Sequence, residues 1–240
     1  MNTMTTGAFG TAVLDTVHDE VIVRSGRSND RLVEPDVLDI LSAEERKRFI
    51  AFRNPLRAAH FAGAHTEARR LLAGLLGCGP AEIRFGRHPC AGCGRTDHGR
   101  PYISRPRTRW EFSLSRSGPY WVCAATDGVR VGVDLEQVRP MDLSSRAPSI
   151  LSSGERRHLD GVPVEFRAAE FIRCWTRKEA VVKASGIGIE AALGDIDVRP
   201  GQTRARVIHR APGCAFDTWS VTDLRTHPGL YTAIAVPAFS

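Results

Sequence analysis

The spacing of apolar residues divides the chain into short stretches of period two and two long stretches of period near 3.6. Residues 11–23 mix alternation with β-branched side chains and predict one or two strands. Ser42-Ala43-Glu44-Glu45 has the form of a capping box and should open a helix, which Asn54-Pro55 interrupts or restarts. A longer helix is predicted from about Leu56 to Leu76, ending at Gly77. Residues 77–110 are rich in Gly, Pro, Cys and Arg and read as an irregular loop with one short strand. Phe112–Leu114, Trp121–Ala125 and Val129–Leu135 follow as strands, with Asp127-Gly128 as a hairpin signal between the last two. Ser152-Ser153-Gly154-Glu155 is a second capping box, opening a helix that carries Arg156, Arg157 and His158. Residues 165–185 form the clearest helical pattern, stopped by Gly186. Ile196–Val198, Arg204–His209, Trp219–Thr222 and Leu230–Val236 read as strands.

Each half therefore combines strands with one long helix. The fold class expected is α+β, a pseudo-duplication into two similar α/β subdomains over residues 1–127 and 128–240, although no exact repeat is visible.

Composition narrows the function classes. The chain has 240 residues, of which 42% are hydrophobic and 25% charged, ordinary for a globular protein. No apolar run approaches the ~18 residues of a membrane helix. Met1–Gly10 lacks the basic start and apolar block of a signal peptide, so a cytoplasmic protein is expected, with no membrane partner and with its six cysteines reduced. The net charge of +6 points to anionic partners. Nucleic acid is not expected among them, because aromatic residues are only 7% and no groove-reading motif is present. Of 33 basic residues only Lys47, Lys178 and Lys183 are lysines. Lysine, unlike arginine, loses its proton when buried among other groups, which draws attention to the close pair Lys178 and Lys183.

Two short stretches carry the chemistry. In Gly132-Val133-Asp134-Leu135-Glu136, strand alternation puts Asp134 and Glu136 on one face. In Trp175-Thr176-Arg177-Lys178-Glu179-Ala180-Val181-Val182-Lys183, Trp175, Glu179 and Lys183 recur every fourth residue and line one helical stripe. Taken singly, these are a solvated strand end and a surface Glu–Lys pair. Together, three carboxylates and a lysine make a hard-cation site of the kind that suits Mg²⁺, which keeps waters and is completed by substrate phosphates.

These stretches, about forty residues apart, resemble the signature of 4′-phosphopantetheinyl transferases of the surfactin-synthetase-activating (Sfp) type. Gly99-Arg100-Pro101 and Phe112-Ser113-Leu114-Ser115-Arg116-Ser117 are similar to that family's Gly-Lys-Pro and Phe-Asn-Ile-Ser-His-Ser segments. The resemblance covers about Ser42 to Gly188. It implies two subdomains related by pseudo-twofold symmetry, a monomer, and transfer of phosphopantetheine from coenzyme A to a serine of an apo carrier protein, for polyketide or nonribosomal peptide synthesis. It implies Asp134, Glu136 and Glu179 as Mg²⁺ ligands. Lys183 or Glu179 is then the base, and Glu155 matches a further family glutamate near the site. Lys178 is left between a structural and a phosphate-binding role.

For the coenzyme A phosphates the best-matching positions are Arg48, His60, Arg100, Ser115 and Arg116, with Arg57 nearby and Lys183 on the phosphate side. His60 stands where the family has Arg, and Arg116 replaces the His of Ser-His-Ser. Arg binds phosphate bidentately, so binding can survive the second change even if proton transfer cannot. These departures keep open a homologue that only binds coenzyme A or a carrier. Cys90-Ala-Gly-Cys93, with His88 and His98, offers four zinc ligands. One Cys-x-x-Cys without a second pair favours a reduced loop over structural zinc.

Overall fold

The computed structural model describes residues 3–6, 12–18, 21–30, 33, 35–188 and 191–239, the first two segments as backbone only. The chain forms two compact units. One comprises Met1–Gly86 with Tyr102–Gly128, the other Arg87–Pro101 with Val129–Ser240.

The first unit begins with β1 (Thr3–Thr6), β2 (Ala12–His18) and β3 (Val21–Arg27). Of the stretch read as strands over 11–23, positions 11, 19 and 20 lie outside the described residues. Helices α1 (Pro35–Ile40), α2 (Ala43–Ile50) and α3 (Pro55–Leu76) follow. The Ser42 capping box is complete: Ser42 Oγ accepts from Glu45 N, and Glu45 accepts from Ser42 N. Asn54 caps α3 through Arg57 N, Pro55 enters its first turn, and Gly77 ends it in the left-handed conformation. Between residues 77 and 110 lie two short paired strands where one was expected, β4 (Arg84–Arg87) and β5 (Pro101–Arg105). Next come β6 (Trp110–Ser117) and β7 (Tyr120–Asp127). The main sheet is antiparallel in the order β1-β2-β3-β7-β6. The alanine-rich inner face of α3 packs on it, with Ala68, Leu71 and Leu72 against Phe112, Cys123 and Ala125.

The second unit is built on β8 (Gly132–Gln137), β9 (Arg204–Ile208), β10 (Thr218–Leu224) and β11 (Leu230–Pro237), antiparallel in the order β8-β11-β10-β9. Its helices are α4 (Leu143–Ile150), α5 (Ser153–Asp160) and α6 (Arg167–Ser185). The second capping box, at Ser152 and Glu155, is also complete. Phe171, Ile172, Val181 and Val182 of α6 join Trp219, Val221 and Val207 in one core. Each unit is thus an antiparallel sheet packed with one long helix, as the patterning implies.

Two local expectations fail. Asp127-Gly128 makes no hairpin, because β7 and β8 belong to different sheets. The tight hairpin joins β6 to β7 instead, through Gly118-Pro119 with Gly118 at positive φ. Ile196–Val198 is not a strand. Its backbone groups bond to buried side chains: Ile196 O accepts from Lys178, Val198 O accepts from Arg177, and Val198 N donates to Glu155. A segment whose polar groups are satisfied in this way has no ladder to join.

Among the described residues no helix is long and apolar enough to cross a membrane, and all six cysteines are free thiols.

Candidate active site

Strand β8 and helix α6 meet at Gly132. A Cβ there would lie 1.9 Å from Ala180 O and 2.6 Å from Ala184 N, so only glycine lets the strand lie this close to the helix. That approach sets up the site. Asp134, two residues along β8, is 3% exposed, and its Oδ1 accepts a 2.6 Å bond from Lys183 Nζ. Lys183 Nζ also donates to Val133 O at 3.2 Å. Glu136 lies on the same face of β8 as Asp134 and is partly buried. Glu179, one turn before Lys183 on α6, is partly buried too. Burial pushes its carboxyl above the usual range, and the Asp134 and Glu136 charges push the same way against the opposing pull of Lys183.

Asp134, Glu136, Glu179 and Lys183 therefore occupy one electrostatic neighbourhood. The three carboxylates do not collapse into a knot: among the described residues, the one group of three His, Cys, Asp or Glu ligand atoms within 4.8 Å of one another is Cys90, Cys93 and His98. The donor set fits Mg²⁺ chemically. All three donors are hard oxygen ligands. Lys183 on Oδ1 does not exhaust Asp134, since an ionised carboxylate offers about four lone-pair sites. Mutual repulsion raises the proton affinity of Glu179, and a divalent cation relieves the same repulsion.

Glu155 and Lys178 are placed elsewhere, in a sealed ion pair. Both are 0% exposed, with Nζ 2.7 Å from Glu155 Oε2. Lys178 also donates to Leu193 O at 2.8 Å and to Ile196 O. Glu155 accepts from Ser152 N and Val198 N, both at 2.8 Å. Every bond that holds Glu155 is internal to α5, α6 and the segment after α6. The geometry thus gives both residues structural work. Arg177, which the sequence did not single out, is likewise 0% exposed. It grips Asp223 of β10 through Nε at 2.7 Å and a second nitrogen at 2.8 Å, and it donates to four backbone carbonyls, those of Val198, Arg199, Gln202 and Thr203. The signal for it was a charged residue beside Trp175 on an otherwise buried helix.

The cationic candidates are distributed over both units. In the first, Arg48 of α2 and Arg116 of β6 converge on Phe61, with their guanidinium carbons 5.2 and 5.5 Å from the ring centroid. Arg116 also lies over Phe52 at 5.8 Å. Burial and the Arg48 charge both lower the proton affinity of Arg116. His65 sits beside them. Burial drives it toward the neutral form, and the two arginines add to that against Glu45, which bonds its Nδ1 at 2.8 Å. Two guanidinium groups turned to one ring, with the Arg48 charge weighing on Arg116, are suited to an anion.

His60 is not part of this pair in the way its sequence position implied. It is buried, and its Nε2 bonds Asp30 Oδ1 at 2.8 Å. Arg57 is exposed at the start of α3, its backbone N bound to Asn54. Ser115 is buried on the face of β6 opposite to Arg116, as strand alternation requires, so the two side chains do not enter one site. Arg100 lies in the second unit, beside the glycine that ends α6: a Cβ on Gly186 would be 3.6 Å from that of Arg100.

The model of the 4′-phosphopantetheinyl transferase superfamily matches residues 130–235, which include β8 and α6. The chain is similar to the 4′-phosphopantetheinyl transferase HetI of Nostoc sp., 30% identical over 207 residues that cover 85% of this chain and 81% of the relative. It is 36% identical to 4′-phosphopantetheinyl transferase psf-1 of Bacillus pumilus over 128 residues, 52% of this chain and 53% of that one. Against 4′-phosphopantetheinyl transferase Sfp of Bacillus subtilis it is 26% identical over 197 residues, 75% and 83% of the two chains.

Proposed function

The chain belongs to the 4′-phosphopantetheinyl transferase superfamily, and we propose that it moves the phosphopantetheine arm of coenzyme A to a serine of an apo carrier protein, releasing 3′,5′-ADP. The observation that carries the site assignment is the close packing of β8 on α6 at Gly132, which brings Asp134 onto Lys183 and into the neighbourhood of Glu179 and Glu136. Asp134, Glu136 and Glu179 would hold Mg²⁺. Such an ion would supply positive charge to offset the negative charge that develops in phosphoryl transfer.

The remaining work falls to the chain's own side chains. Lys183 donates to Asp134 and presents its amine to the phosphates. We assign acceptance of the serine proton to Glu179, the carboxylate one helical turn from Lys183 on the same stripe of α6. Arg48 and Arg116 form the anion site in the first unit and suit the 3′-phosphate of coenzyme A. Within the second unit, Arg100 is assigned to phosphate binding. Glu155 and Lys178 hold α6 in place without touching substrate. Carriers of polyketide or nonribosomal peptide synthesis are the proposed partners, with the protein acting as a cytoplasmic monomer.

The test mixes the protein with coenzyme A, Mg²⁺ and a panel of apo carrier domains. At least one carrier should gain the mass of one phosphopantetheine, and chelating the metal should stop the gain. No gain with any carrier, alongside measurable coenzyme A binding, would leave a binding protein in place of an enzyme.

A further inference from the structure

The segment Arg87–Pro101 of the second unit carries a cluster that the transfer reaction does not use. Cys90 Sγ, Cys93 Sγ and His98 have ligand atoms all within 4.8 Å of one another, and Cys93 Sγ lies 3.2 Å from His98 Nε2. The sequence favoured a plain reduced loop here, because it offers one Cys-x-x-Cys and no second pair. Three features of the fold count against that reading.

The first is the turn. Gly94 N donates to Cys90 O at 2.8 Å, and Gly94 takes positive φ. The backbone N–H groups of Gly92 and Cys93 point at Cys90 Sγ. The turn thus holds both sulfurs toward one point. The second is His98. Its Nδ1 is 2.7 Å from Asp97 Oδ1, which leaves Nε2 turned toward the sulfurs. A carboxylate behind a histidine fixes the tautomer and ring orientation in just the way metal-binding histidines require. The third is the tightness of the loop. Gly99 has no room for a Cβ, which would lie 1.7 Å from His88 O, and Cys90 N bonds Arg95 O at 2.7 Å. The ligands are therefore held in place before any ion arrives.

We propose that Cys90, Cys93 and His98 bind one Zn²⁺ ion, with the fourth tetrahedral position taken by water. His88, the fourth residue the sequence offers, is outside the group of three. Two thiolates and an imidazole select a soft, tetrahedral ion over Mg²⁺. Binding displaces two thiol protons, one of which Cys90 otherwise donates to Ile187 O at 3.3 Å. The site sits where the loop meets the end of α6: Ala91 N bonds Gly186 O at 3.4 Å. The ion would stiffen the loop that leads into Gly99-Arg100-Pro101, next to the C-terminus of the helix that carries Glu179 and Lys183.

The test is independent of the transfer reaction. The full chain is purified without added metal and its zinc measured by elemental analysis. The zinc-free protein is then titrated with Co²⁺ and with Zn²⁺ against a chelating dye. We expect one zinc per chain and a thiolate-to-cobalt charge-transfer band. Both should be lost in Cys93→Ser, an exposed position where the change leaves the fold intact. Asp97→Ala keeps all three ligands and should weaken zinc by about 10–100-fold, the usual effect of losing a histidine's carboxylate partner. The proposal is overturned by protein without zinc and without the cobalt band, by Cys93→Ser retaining its full zinc, or by a Cys90–Cys93 disulfide found in place of metal.

Discussion

Replacing Lys178 by Met separates its structural role from a phosphate-binding one. The stem length and apolar character are preserved, so the packing of α6 changes little. What is lost is the ammonium at 2.7 Å from Glu155, in a pair that is 0% exposed on both sides. Two carbonyls, Leu193 O and Ile196 O, lose the same donor. Glu155 keeps its bonds from Ser152 N and Val198 N but becomes a sealed charge without a counter-ion. Breaking one side of such a pair costs about 3–5 kcal/mol. For a chain of this size each kcal/mol moves Tm by roughly 2–4 °C, so a fall of roughly 6–20 °C is expected in calorimetry. Adding Glu155→Gln neutralises the orphan, while the amide oxygen still caps α5. The double variant should therefore recover at least about 1 kcal/mol over the sum of the singles. Coenzyme A affinity of the folded Lys178→Met protein should match that of the parent. A loss under about 1 kcal/mol, or a large drop in coenzyme A affinity with Tm unchanged, would refute the structural role.

Other consequences follow from the same geometry. Glu136→Gln removes one of the charges that raise Glu179, so the metal-free protein should gain up to about 1 kcal/mol in urea unfolding while transfer needs more Mg²⁺. If Lys183 acts as a fixed cation, Lys183→Arg should retain turnover within about tenfold in the carrier assay, because arginine keeps the charge but cannot act as a base. Gly132→Ala drives a methyl group into Ala180 O and should cost a few kcal/mol, on the order of 1–3 for overpacking, with transfer falling in parallel. Burial pushes Glu45 up, but the hydrogen bond and charge of His65 and the charge of Arg69 outweigh it and hold the carboxyl at about 2, from an ordinary 4.5. Because the folded pKa is depressed, this stabilisation is full above pH 4.5 and disappears as pH falls through about 2. It amounts to about 3 kcal/mol at 1.36 per unit, and Glu45→Gln should flatten acid unfolding across that window.

Features governed by neighbouring residues were legible in the sequence. The Ser42 and Ser152 capping boxes, and the stops at Gly77 and Gly186, follow from contacts within one or two turns, and the structure reproduces them. The acidic stripe was legible because strand and helix periods fix which side chains share a face. The same alternation would have separated Ser115 from Arg116, had it been applied to the Ser-Arg-Ser segment. What could not be read depended on partners distant in the chain. Asp127-Gly128 has turn chemistry, but the choice of sheet for the next strand is not a local property. Ile196–Val198 has strand residues, yet Glu155, Arg177 and Lys178 claim its backbone. Lys178 and Lys183 look alike in the sequence, five residues apart, and only burial distinguishes the sealed one from the one facing Asp134. His60 was placed by its position in a motif, while Asp30, thirty residues earlier, decides what it binds.

The orientation of α6 explains how one helix serves both stability and the site. On a helix of 3.6 residues per turn, Arg177 and Glu179 lie roughly 160° apart, and Lys178 projects on the other side of the axis, about 100° from each. Arg177 is tied to Asp223 of β10, Lys178 to Glu155 of α5, and Ala180 rests against Gly132 of β8. Two anchors in different directions fix the rotation of the helix about its axis. The glycine contact fixes its depth on the sheet. With both set, Glu179 and Lys183 have no choice but to face the end of β8 where Asp134 and Glu136 project. A slippery apolar contact would not resist the repulsion among the three carboxylates, which tends to turn Glu179 away from β8. Directional bonds to buried cations do resist it. The buried charges that seem out of place in the core are thus the counterpart of the unfavourable charges held at the site.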